Sequence, residues 1–153
     1  GSKPEHRIFG WLQVGTIVNL RSDGKSFSKT HPKYEAHPHL LVDWMEKEKD
    51  SSLYLPPDQL NILREHGLPG FGKFSAENSN TLLSSNSSSC SLWKVPDWLN
   101  IARKGCGLSY HKNKALWRND TLQTVGRGQE FVSDPKEDER LIHWLVELFK
   151  NAI

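Results

Sequence analysis

Arg7-Ile-Phe-Gly-Trp-Leu-Gln-Val-Gly-Thr-Ile-Val-Asn-Leu20 is the stretch on which the fold reading turns. Taken as one extended segment, it puts Ile8, Leu12, Val14 and Val18 on one face and Phe9, Trp11, Gln13 and Ile17 on the other. Two largely apolar faces predict a strand covered on both sides or curled into a barrel. Gly10 and Gly15 suit bends or bulges along it.

Working outward, residues 21–33 are polar around Asp23-Gly24 and predict a turn or exposed loop. His37-Pro-His39 opens a segment through Leu40, Leu41, Val42 and Trp44, and charged residues 46–50 read as a surface turn. Ser52-Leu-Tyr-Leu55 predicts a short strand, and residues 57–66 a short helix that Gly67 ends. Gly70-Phe-Gly-Lys-Phe74 reads as a glycine-rich strand or turn. Residues 78–91 are rich in Ser and Asn and predict a mobile surface loop, with Leu82-Leu83 a short strand inside it.

Further on, residues 91–95, 121–125 and 129–133 are strand candidates, and residues 96–103 predict a short helix opened by Pro96. A long C-terminal helix follows, with Asp134 as N-cap, Pro135 at its first position and Glu137 closing a capping box. Leu141, Leu145, Leu148 and Ala152 form its apolar stripe, widened by Ile142, Trp144 and Phe149. Short strands with one long helix and one or two short ones predict an α+β fold on a small, curved antiparallel sheet or β-barrel. After Gly1-Ser2, which reads as a tag remnant, residues 3–153 suit a single domain.

A net charge of +2 does not by itself imply a nucleic-acid partner, but its distribution is uneven. Lys94, Arg103, Lys104, Lys112, Lys114 and Arg118 face one acid, Asp97, over residues 94–118. Such a run predicts a basic face. Cys90 and Cys106 make neither a metal motif nor a disulfide framework and read as free thiols of a reducing cytosol. No apolar run is long enough to span a bilayer, so a cytoplasmic protein without a membrane partner is expected.

The chemistry-bearing stretch is Leu122-Gln-Thr-Val-Gly-Arg-Gly-Gln-Glu-Phe-Val132. It sets Arg127, Gln129 and Glu130 among glycines, and a guanidinium, an amide and a carboxylate there can read a planar hydrogen-bonding ligand such as a nucleobase. An Arg–Glu pair pinning a corner is the plainer alternative. Tyr110, His111 and Trp117 lie within the basic run, where aromatic rings can stack on bases while Lys112, Lys114 and Arg118 neutralise phosphates. Trp98 and Trp144 read as core. His37 and His39, two apart, would point to one side of an extended backbone, as polar ligand contacts. With Asp43 or His111 they could complete a metal site, but no second His/Cys pair supports one, so no metal or other cofactor is expected. His111 and Glu130 are the candidate acid–base pair if a reaction occurs.

His6-Arg-Ile-Phe-Gly-Trp-Leu-Gln-Val-Gly15, His37-Pro-His-Leu40, Ser52-Leu-Tyr-Leu55, Leu92-Trp-Lys-Val-Pro-Asp-Trp-Leu99, Leu108-Ser-Tyr-His111 and Arg127-Gly-Gln-Glu-Phe-Val132 together resemble the third type of the nucleotide-modification-associated domain family of prokaryotic and phage proteins. The resemblance lies in the order of the pieces, and it implies a theme of altered nucleobases rather than a reaction. The family pattern carries a further N-terminal half before the Phe-Gly-Trp-Leu strand. This implies either a compact variant or a fragment completed by another chain, a protein partner. More weakly, the same strand resembles one in PUA-like modified-base readers, which brings Trp11 and Gln13 into the ligand set. The expected function is a nucleic-acid-binding module, for DNA ahead of RNA, that recognises a modified or flipped base. Its alternatives are an enzyme acting on a nucleobase or nucleotide, and a protein-interaction module or inhibitor.

Overall fold

The computed structural model describes residues 4–41, 51–84, 89–125, 131–133 and 138–150 of the chain. The chain forms two compact units, one of Trp11–Gly72 and one of Gly1–Gly10 with Lys73–Ile153. They are called the inserted unit and the main unit below.

In the inserted unit the long strand expected over residues 7–20 is broken. β1 (Gly10–Leu12) pairs with β4 (Phe71–Lys73), and β2 (Thr16–Asn19) pairs antiparallel with β3 (Ser52–Leu55). The break falls at Gln13–Val14–Gly15 because the backbone changes partner there. Gln13 N–H donates to the Gly70 carbonyl at 2.7 Å, and Gly15 N–H to the Leu55 carbonyl at 2.8 Å. Gly15 also lies so close to Pro57 that a Cβ would sit 2.9 Å from the Pro57 nitrogen.

Nor are both faces covered. Val18 and its cross-strand partner Leu53 are buried with Leu20 and Leu40, whereas the Ile17–Tyr54 pair on the other face is exposed. The residues expected to form a polar loop make a helix instead, α1 (Leu20–Thr30). Asn19 is its N-cap, its side-chain oxygen accepting from the Arg21 and Ser22 amides. That cap satisfies two otherwise orphaned amides, a signal masked in the sequence by Gly24 and the polar composition. The short helix before Gly67 is present as a 3-10 segment, Asn61–His66, and Gly67 ends it at φ +63°.

The main unit is built on the three-stranded antiparallel sheet β5-β7-β6, from β5 (Leu92–Lys94), β6 (Trp117–Arg118) and β7 (Thr121–Gln123). Its register aligns Trp93, Leu122 and Trp117 on one face, all buried against Leu83, Val95, Leu99 and Leu108. Residues 78–84 are not the loop expected of them. Asn78 and Thr81 are buried, Ser79–Thr81 is a 3-10 turn, and Leu83 belongs to the core. The reason is a helix end. Asn78 and Asn80 donate their amides to the Leu148 and Glu147 carbonyls, two of the carbonyls that a helix C-terminus leaves unpaired.

That helix, α2 (Glu139–Phe149), has 11 residues and starts later than expected. Its N-cap is Asp138, which also pairs with the Arg140 guanidinium at 2.6 Å, and the expected capping residues Asp134, Pro135 and Glu137 lie outside the described residues. Hydrogen bonding to Arg140 holds the Asp138 carboxyl below the usual carboxylate range. Leu141, Leu148 and Phe149 are its buried positions. The short helix expected over residues 96–103 is two 3-10 turns, Asp97–Leu99 and Ile101–Arg103, separated by buried Asn100. The fold is thus α+β with small antiparallel sheets. Among the described residues the strands close no barrel, because each sheet stops at two or three strands. No helix among them is long and apolar enough to cross a membrane.

Candidate functional site

The buried face of the β5-β7-β6 sheet lies at the one buried side-chain polar atom left without a hydrogen-bond partner among the described residues. His111 is 5% exposed, and its Nε2 has no hydrogen-bond partner among those residues. Its backbone is fixed on both sides: the amide donates to Leu108, and the carbonyl accepts the Trp117 indole N–H at 2.8 Å. The ring stands edge-on to Trp93 with centroids 5.9 Å apart, and Phe131 meets Trp93 at 6.1 Å. Trp93 also donates its indole N–H to His6 Nδ1 at 2.8 Å. An indole nitrogen can only donate, so His6 Nδ1 accepts and the ring carries its proton on Nε2. One indole therefore contacts two imidazoles, His6 and His111.

Burial pushes the His111 imidazole below its usual range, since desolvation penalises the charged ring. At neutral pH the ring is uncharged and Nε2 can donate or accept according to tautomer. The unfolded chain takes up this proton as pH falls through about 6.5 while the folded ring resists it. His111 thus leaves stability intact above about 6.5 and lowers it as pH falls toward the depressed folded value. Urea midpoints measured from pH 7.5 down to 5.5 should show this decline, and His111→Phe should remove that part of it. An identical profile in both proteins would mean that the ring is not held neutral by burial.

Of the residues expected at a ligand site, the fold brings Tyr110, His111, Trp117 and Arg118 into one region. Tyr110 is 71% exposed while its neighbour His111 is buried. Trp117 is a core residue, its ring in the cluster around Trp93 and its N–H engaged by His111. Lys112, Lys114 and Arg118 are exposed. Arg127, Gln129 and Glu130, like Asp43, lie outside the described residues.

The remaining candidates belong to the inserted unit, where their side chains have structural partners. Trp11 donates its indole N–H to the Pro69 carbonyl at 3.1 Å and lies against Gly72. The Gln13 side-chain oxygen accepts the Asn61 amide at 2.7 Å. His37 and His39 are not on an extended backbone. A 3-10 turn over Pro38–Leu40 sets their rings edge to face at 5.4 Å, with His37 Nδ1 accepting the His39 amide. Among the described residues no group of three or more His, Cys, Asp or Glu side chains is placed to hold a metal ion.

Two open clefts also mark the main unit, and both are lined in part by Pro96. One, of about 510 Å³, has Lys94, Asp97, Arg103, Asn119 and Asp120 on its walls. The other, of about 490 Å³, is walled by Trp98 and Trp144 with Arg140 and His143. Neither is lined by His111. His6, Lys94 and Arg103 are contributors not expected from the sequence as ligand contacts. For Lys94 and Arg103 the basic run over residues 94–118 was the only signal, and for His6 there was none.

No curated protein and no solved structure matched the chain when compared with it. The model of the family described as nucleotide modification associated domain 3 matches residues 1–134. The ordered pieces quoted above fall within that span, and the chain belongs to the nucleotide modification associated domain 3 family.

Proposed function

We propose that this protein is a nucleic-acid-binding module that recognises a modified or flipped nucleobase. The observation that carries the reading is His111. A buried polar atom without a partner costs about 1–3 kcal/mol, and native folds retain few of them. A neutral imidazole whose ring stands edge-on to Trp93, itself in contact with Phe131, and which follows exposed Tyr110 in sequence has the chemistry that a planar base needs. Arg127, Gln129 and Glu130 adjoin Phe131 in sequence and are the further polar groups of this reading. The family's link to nucleotide modification supports a base as the ligand.

Nε2 is sealed from solvent, so a ligand reaches it only when its cover shifts. Binding should therefore perturb tryptophan fluorescence. The test compares modified and unmodified DNA and RNA oligonucleotides, single- and double-stranded, across a salt series. His111→Phe should keep the fold, because an orphaned polar group is replaced by an apolar ring of similar shape. It should also lose about tenfold or more in preference for the recognised base. Equal discrimination by wild type and variant would remove His111 from the site. Mass analysis of the nucleosides after incubation separates binding from the alternative, acid–base catalysis by His111 and Glu130.

A further inference from the structure

The register that buries Trp93, Leu122 and Trp117 necessarily turns their neighbours outward. Lys94 pairs with Thr121 on one side and Arg118 pairs with the same Thr121 on the other. Successive strand residues alternate between faces, so Lys94, Thr121 and Arg118 form a row on the open face of the sheet. The two cations lie two strand spacings apart, roughly 10 Å. Both are exposed, and neither has an ion-pair partner among the described residues. Gln123 continues the same face as an exposed amide.

At Lys94 this row runs into the 510 Å³ cleft, whose far wall carries Arg103. That guanidinium is held in place. Arg103 Nη2 donates to the Asn119 side-chain oxygen at 2.7 Å, and Asn119 sits at φ +54° with its carbonyl fixed by buried Asn100 at 2.6 Å. Asp97 stands 3.9 Å from Arg103 Nη1, and Asp120 also lines the cleft. Two carboxylates there repel a polyanion, so the favourable path for one runs along the Lys94 side and over the open sheet face.

We propose that the outer face of the β5-β7-β6 sheet, Lys94-Thr121-Arg118, seats the phosphodiester backbone of a nucleic acid strand. The row supplies two exposed cations two strand spacings apart, the side chains that phosphate oxygens take, while the Thr121 hydroxyl between them donates to the Arg118 carbonyl at 2.7 Å. This rests on the nucleic-acid reading above but concerns a different face from that of His111. It adds Lys94 to the phosphate-binding residues and makes Arg118, across the sheet from it, the second phosphate ligand.

The test measures oligonucleotide affinity against salt for wild type, Lys94→Gln, Arg118→Gln and the double variant, after unfolding curves confirm that each retains its stability. Removing either cation should lower the slope of log affinity against log salt by about 0.7 on single strands or about 0.9 on duplex. The decrease should be the same for modified and unmodified oligonucleotides. Slopes that stay at the wild-type value in the double variant overturn the proposal, as does a slope that drops only in Lys112→Gln or Lys114→Gln. Binding that depends on Lys94 and Arg118 without base discrimination keeps this face and removes the base reading. Discrimination with an unchanged slope does the reverse, and failure to bind any oligonucleotide overturns both.

Discussion

Trp93→Ala should lower the unfolding free energy by about 3–5 kcal/mol, the cost of truncating a fully buried aromatic ring. Trp93 is 2% exposed, and it is the only side chain that touches both His6 and His111 in the aromatic and hydrogen-bond contacts of the described residues. Its removal deletes the apolar area against Leu122 and Trp117 and leaves His6 Nδ1 without its donor. Trp93→Phe separates these effects. It restores most of the ring, so its smaller loss, about 1–3 kcal/mol, reports chiefly the unpaired imidazole nitrogen. Chemical denaturation followed by circular dichroism measures both. Equal losses in the two variants would mean that the indole N–H, not ring volume, sets the stability of this cluster, whereas no loss in Trp93→Phe would mean that the N–H contributes nothing.

Gly105→Ala should cost about 3 kcal/mol, the upper end of what an added methyl group does in packed surroundings. A Cβ at this position would lie 2.2 Å from the Trp98 carbonyl oxygen and 2.8 Å from that of Asn100. Both obstacles are backbone, so no rotamer change relieves them. The same carbonyls are tied in place by the Cys106 and Gly105 amides, at 3.2 and 3.0 Å. Gly67→Ala is the matched comparison. Gly67 has the left-handed φ of +63° but nothing within 4 Å of a would-be Cβ. Its substitution should cost only the backbone strain, about 1 kcal/mol. A Gly105 variant no less stable than the Gly67 variant would show that the turn over residues 98–106 can open without loss.

Both predictions concern the main unit's core, and that core was partly legible in the sequence. Ser91-Leu-Trp-Lys-Val95 and Thr121-Leu-Gln alternate clearly enough to be read as strands, and Ser52-Leu-Tyr-Leu55 matches β3 residue for residue. β6 escaped because two residues, Trp117 and Arg118, are too short for any period to show. The helix α1 escaped for a different reason. Its stability comes from the Asn19 cap and from Leu20 and Phe27 packing with Val18 and Leu53, neighbours that a polar sequence with an internal glycine does not advertise. Residues 78–84 look like a loop by composition, yet the amides of Asn78 and Asn80 are used to finish α2, which lies about 70 residues further along the chain.

The candidate site divides in the same way. His111 and Arg118 stood out because their residue types, near aromatics and other cations, are what base and phosphate recognition requires. Nothing local marked His6, and the basic run marked Lys94 only as one cation among six, since each acquires its place from a neighbour distant in sequence: Trp93 for His6 and Thr121 for Lys94.

By itself, then, the sequence determined the α+β character, the family, the basic run around residues 94–118, and most short elements of strong period. These depend on residue type and on spacing along the chain. Only the tertiary structure decided that the 7–20 stretch breaks at Gly15, that α2 stops at 11 residues, that Trp117 lies inside and Lys94 outside, and that one imidazole nitrogen is left without a partner among the described residues. Each of those outcomes is settled by which carbonyl, ring or strand arrives from elsewhere in the chain, and a single-sequence pattern records no such arrival.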